Sequence, residues 1–161
     1  MNAEDVLKYG HTFVLGAMQP FPAAEWQTPD VCGFWSTKDI IAHLASFEQM
    51  LIDVLHSFID NRPTLCLDEY LKVGGQRFNE IEVGNRKGRT PQNVWDEYQS
   101  GQAETMTLIK QIPVAKRREP GTLPWYGPEY DLEDFIAYTF YGHKREHMAQ
   151  VNVFLDTLKR R

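Results

Sequence analysis

Cysteine is scarce in this chain, and the two that occur, Cys32 and Cys66, stand in separate loop-like segments without CxxC spacing. That excludes a disulfide framework and a thiolate-rich zinc site, and both thiols are expected to be reduced. Positive charge is also in deficit. The formal net charge is −5, and lysines and arginines cluster only at Lys116-Arg117-Arg118 and Lys159-Arg160-Arg161. No basic stripe can follow a phosphate backbone, so nucleic acid is not an expected partner. Long apolar runs are missing too: none reaches the length of a membrane span, and Met1-Asn2-Ala3-Glu4-Asp5 is acidic where a signal peptide is basic. The expected location is the cytoplasm, away from membranes. Strand-like alternation, internal repeats and low-complexity tracts do not occur.

What the chain does have is helical periodicity, with 42% apolar and 24% charged residues over 161 positions, enough for one core and hence a single domain spanning 1–161. Val6, Leu7, His11, Val14 and Met18 share a face of a first helix, from Asn2 to about Met18, which Gln19-Pro20-Phe21-Pro22 ends. A second helix starts at Ser36, a capping residue with Asp39 three positions on; Trp35 and Ile40 fit a hydrophobic staple around it. Ile40, Leu44, Phe47, Leu51, Leu55 and Phe58 form its buried stripe, and Asn61-Arg62-Pro63 stops it near Asp60. Between Asp68 and Asn85 the pattern is interrupted at Gly74-Gly75, which predicts a crossover of one or two short helices. Thr90-Pro91 restarts the chain as cap and first helical residue of a third helix reaching about Gln111. After a long loop containing Leu123-Pro124-Trp125-Tyr126-Gly127-Pro128, Asp131 caps a fourth helix. Ile136, Phe140, His143, His147, Val151, Phe154 and Leu158 recur along it at spacings of three and four. The expected fold is all-α: a four-helix bundle with a long crossover between helices two and three.

His143 and His147 lie one turn apart inside that last stripe, a spacing that lets two imidazole nitrogens reach one ion. Titratable rings in a bundle core are costly without partners, and a metal offsets that cost while fixing their tautomers. His43, three residues after Ile40 and four before Phe47, is the candidate third ligand, whereas His11 and His56 have no second histidine at ligand spacing and read as structural or exposed. Three neutral nitrogen ligands leave a position open, as in catalytic sites, and suit a divalent zinc, nickel or iron. Asp39, Glu146, Gln150 and Tyr141 are candidates for a proton-transfer or ligand-orienting role, with helix capping the favoured role of Asp39. Glu48 is equally open. The Trp125-Tyr126 loop is a candidate roof over the pocket.

The segment Trp35-Ser36-x-Lys38-Asp39-x-x-Ala42-His43-Leu44, then Glu48, and later Tyr141-x-His143-x-x-Glu146-His147-x-x-Gln150, resembles the DinB/YfiT-like superfamily of metalloenzyme-like proteins. It is especially similar to the colibactin self-protection branch and to the metal-binding domain of mycothiol-dependent maleylpyruvate isomerase. The stretch around Phe78-Asn79 and Arg89-Thr90-Pro91 also fits. The resemblance implies a four-helix bundle holding a metal on one histidine of the second helix and two of the last, here His43, His143 and His147. It further implies a small-molecule substrate, a low-molecular-weight thiol as co-substrate, and a homodimer. The isomerase's additional C-terminal domain has no counterpart in the sequence.

The leading expectation is a metal-dependent enzyme, a thiol-dependent transferase or a hydrolase, acting on a small electrophile. The alternative is a non-enzymatic protein of the same fold that sequesters a harmful small molecule.

Overall fold

The computed structural model describes residues 2–160; Met1 and Arg161, the outer ends of the acidic and basic runs noted above, lie outside the described residues. The chain is all-α, with no strand among the described residues beyond an isolated bridge between Cys32 and Trp35. The long helices are α1 (Ala3–Met18), α2 (Thr37–Ile59), α5 (Pro91–Ile109) and α8 (His143–Leu158). α2 packs along α5, and α1 packs along α8. The expected crossover is two helices, α3 (Leu65–Val73) and α4 (Gly75–Asn85), broken at Gly74, whose φ of 78° lies in the left-handed region. α6 (Val114–Arg117) and α7 (Leu132–Ile136) occupy the second long connection, and the π-helical segment Ala137–Gly142 joins α7 to α8 without a break.

The helix starts follow from local chemistry. Ser36 Oγ accepts the Asp39 N–H at 3.2 Å while the Asp39 carboxylate accepts the Ser36 N–H at 3.1 Å, a complete capping box. Thr90 caps α5 by accepting the Asn93 N–H at 3.1 Å, with Pro91 as the first helical residue. Asp131 and Asp134 form a second box at α7. α3 has no side-chain cap of its own. Instead the buried Asp53 carboxylate of α2 accepts the N–H groups of Cys66 at 2.7 Å and Leu67 at 3.1 Å, which ties the crossover to the bundle. At the other end of α4, buried Arg86 bonds Glu82 at 2.6 Å and Glu97 of α5 at 2.7 Å.

The apolar interior is in two clusters. One gathers Leu7, Phe47, Leu51, Leu55, Ile109, Ile136 and Phe140; the other gathers Val14, Ile40, Leu44, Tyr98, Met148 and Val151. Between them on each long helix lie polar or small residues: Gly10 and His11, His43 with Ser46 and Glu48, Gly101 with Gln102 and Thr105, and His143, Lys144 and His147. A polar layer therefore crosses the middle of the bundle.

Candidate metal centre

His43 projects from the second turn of α2, whose start the Ser36–Asp39 box defines. His143 opens α8, and His147 follows one turn later. Their Nε2 atoms converge: His43 to His143 is 2.7 Å and His143 to His147 is 2.9 Å, and the candidate donor atoms all lie within 4.8 Å of one another. Each Nε2 carries either one in-plane N–H or one in-plane lone pair, so His143 Nε2 cannot satisfy both neighbours by hydrogen bonding. Three lone pairs directed at a common point suit a cation. A tetrahedral ion with bonds of about 2.0–2.1 Å would set the nitrogens about 3.3 Å apart, so uptake requires the rings to spread by roughly half an ångström.

The surroundings keep the rings neutral. His43 is 2% exposed and His147 8%, while His143 is half-buried. Burial, with the nearby His143 and His147, pushes His43 down to about 2; burial, with His147 and Lys144, pushes His143 down to about 3. Burial lowers His147 as well, opposed by Gln150 and Glu146. Neutral imidazole is the ligating form, so the cluster is ready for a metal at neutral pH without giving up protons. Trp35 lies over the pair from α2 and α8, its ring 5.1 Å from His43 and 6.5 Å from His147, and Phe47 lies 4.8 Å from His43 and 4.6 Å from His143. Thus Trp35, expected as a staple residue, also walls the cluster. His43 Nδ1 is buried without a partner among the described residues, so packing between Trp35 and Phe47 orients that ring.

The supporting candidates separate. Gln150 Oε1 lies 2.9 Å from His147 Nδ1; accepting an Nδ1–H there leaves the Nε2 lone pair facing the cluster. Asp39 is used in the capping box, its carboxylate also accepting the Ser36 Oγ–H at 2.9 Å. Tyr141 turns to α1, its ring 6.1 Å from Phe13 and beneath the Arg145 guanidinium, so it is not placed for proton transfer at the cluster. Glu146 is exposed and, with Phe47, Tyr70, Asn79, Tyr138 and His143, lines an open recess of about 570 Å³. Trp125 and Tyr126 do not line that recess: they pack edge-on against Phe135, with ring separations of 5.3 and 4.9 Å. His11 and His56 are structural. His11 Nδ1 is 3.1 Å from the Tyr98 hydroxyl, and buried His56 has its Nδ1 3.3 Å from an Asp60 carboxylate oxygen without a hydrogen bond between them.

The sequence reading missed the other half of the polar layer. Lys144, 2% exposed, pairs with fully buried Glu48 and donates to Gln102 Oε1 at 2.7 Å, while Thr105 donates to Glu48 Oε2 at 3.2 Å. A lysine between two histidines reads as a solvent-facing residue. The π-helical segment changes this: its wider turn places Ile136, Phe140 and Lys144 inward at intervals of four, with His143 beside them facing α2. The spacing of Glu48 from His43 was the available signal for its partner. Gly101 permits the α2–α5 approach, since a Cβ there would lie 2.9 Å from Glu48 Cβ.

No helix among the described residues is long and apolar enough to cross a membrane. The sequence model of the DinB superfamily matches residues 12–151, a span that includes all three clustered histidines. Neither the curated proteins nor the solved structures yield a match.

Proposed function

The chain belongs to the DinB superfamily, and from that premise we propose that it is a metal-dependent enzyme acting on a small electrophilic molecule, as a thiol-dependent transferase or a hydrolase. The observation that carries the reading is the convergence of the Nε2 atoms of His43, His143 and His147. These residues would hold a divalent zinc, nickel or iron, with Gln150 setting the tautomer of His147. When bound, the ion would supply Lewis acidity, polarising a substrate oxygen or acidifying a water or thiol. The chain's own contribution is positional. Trp35 and Phe47 wall the cluster with aromatic rings, the recess that Phe47 and His143 line would admit substrate, and Glu146, which lines the same recess, is the candidate acceptor for the proton that the nucleophile releases. The cytoplasm, with its thiol pool, is the setting that fits this chemistry.

Metal analysis of tag-free protein is the first test: stoichiometric transition metal in the wild type and its loss in His143→Ala are expected, and failure to take up zinc, nickel or iron overturns the reading. Turnover of model epoxides with and without added low-molecular-weight thiol then separates transferase from hydrolase.

A second reading, a sequestering protein without turnover, is favoured by one observation: Asp39 and Tyr141 are engaged elsewhere, which leaves exposed Glu146 as the proton acceptor. Stoichiometric ligand binding that survives chelation, with no product formed, would establish it.

A further inference from the structure

A second recess lies on the other side of the cluster's aromatic wall. It holds about 420 Å³ between the loop before α2 and the body of α4, and its lining includes Phe34, Trp35, Asn79, Val83 and Gly84. Its size suits part of a small organic ligand. Phe34 is 78% exposed at its mouth, so its ring is free to cover a ligand seated there. Trp35 forms its wall and touches His43 on its other side; Phe47, which lines the recess at His143, touches His43 as well. Asn79 belongs to both recesses. Its Oδ1 is buried and receives no hydrogen bond among the described residues, an unfavourable condition that a ligand's donor would relieve once the amide turns toward it.

We propose that the two recesses are the halves of one binding groove, and that its ligand is an amphipathic small molecule with three parts in order: a polar reactive end at His143, a hydrogen-bond donor that meets Asn79 Oδ1, and an apolar alkyl or aryl body between Phe34, Trp35 and Val83. The position of the reactive end rests on the metal reading above; the apolar body and the donor do not. The order of the parts follows from the chain, because Asn79 stands between the histidine end and the apolar end. Phe34, Trp35 and Val83 favour an apolar body, with Gln76, Glu80 and Lys87 also in the lining, and a ligand without the donor leaves the Asn79 carbonyl unpaired.

Two homologous probe series test this by titration calorimetry, with tryptophan fluorescence as a second readout. The n-alkyl hydroxamates carry a chelating head, an N–H and a variable tail; the N-alkylacetamides carry the N–H and the tail with no chelating head. In both series affinity should rise about fourfold per methylene until the apolar recess is filled, the ratio expected for about 0.8 kcal/mol per buried methylene. Gly84→Leu fills the recess from open space, since a Cβ at Gly84 meets nothing within 4 Å, and leucine is the better helix former. This variant should abolish the chain-length dependence and leave metal content and acetohydroxamate binding unchanged. Asn79→Ala should weaken the N–H probes about tenfold and leave their N-methylated counterparts unaffected. Affinity independent of chain length in the wild type, or a dependence that persists in Gly84→Leu, overturns the proposal, as does equal weakening of N–H and N-methyl probes by Asn79→Ala. If acetamides keep the length dependence while hydroxamates gain nothing from added zinc, the groove stands and the metal reading falls; metal-dependent hydroxamate binding without length dependence means the reverse.

Discussion

Acid should unfold the metal-free protein through its own histidines. Burial, reinforced by the neighbouring imidazoles and for His143 also by Lys144, holds His43 down to about 2 and His143 to about 3, whereas both return to their ordinary 6.5 in the unfolded chain. Below that ordinary value the unfolded state takes up protons that the native state refuses. Stability rises with pH wherever the unfolded state binds more protons, so this contribution is fully present above about pH 6.5 and is lost as pH falls. Each histidine costs about 1.4 kcal/mol per pH unit, or about 2 kcal/mol by pH 5, and the pair costs about 4 kcal/mol. That is a large share of the 5–15 kcal/mol typical of a domain. His11, pushed down to about 4 by burial and by Lys144, acts in the same direction. Urea unfolding in chelator at several values between about pH 7 and about pH 5 measures the slope. His43→Phe, which keeps an aromatic ring between Trp35 and Phe47, should reduce that slope by about 1.4 kcal/mol per unit. A wild-type slope smaller than one histidine's worth, or a slope unchanged in the variant, refutes the reasoning.

Other expectations follow from the polar layer. Lys144→Met leaves Glu48 buried without its counter-charge and should cost about 3–5 kcal/mol in urea unfolding, most of it recovered when Glu48→Leu is added. A double variant no more stable than the single one would show that the pair is not the source. Gln150→Leu frees the His147 tautomer and should weaken zinc affinity 10–100-fold in a competition titration, with little change in melting temperature of the metal-free protein. Gly101→Ala should destabilise by about 1–3 kcal/mol through the clash with Glu48 Cβ, despite alanine's better helix propensity; a stabilised variant would mean that α2 and α5 can part there without cost.

Much of this architecture is legible in the chain because it is locally encoded. The Ser36–Asp39 box, the Thr90-Pro91 start and the Asp131 cap all appear where short-range chemistry places them. Two histidines a turn apart in an apolar stripe, with His43 on another helix's buried side, were sufficient to name the cluster. What escaped depends on contacts distant in sequence or on a change of helical pitch. Asp53 caps α3 from a different helix, which no pattern around Thr64 announces. Lys144 is buried because the π-helical segment redirects it and because Glu48, 96 residues earlier, meets it. Trp125 and Tyr126 looked like a roof, yet their rings are taken up by Phe135.

The crossover's attachment has a consequence for the cluster. α3 and α4 supply Tyr70, Asn79 and Val83 to the recesses, yet they are fastened to the bundle by side chains at their ends, Asp53 at one and Arg86 at the other. The clustered histidines belong to α2 and α8, whose register is set by core packing elsewhere. Between those fastenings Leu67, Phe78 and Val83 are buried, and the Phe78 ring packs on Phe47, which packs in turn on His43 and His143. The crossover and the cluster are thus joined through one aromatic ring, and a change of volume at Phe78 is transmitted by Phe47 to both imidazoles it touches.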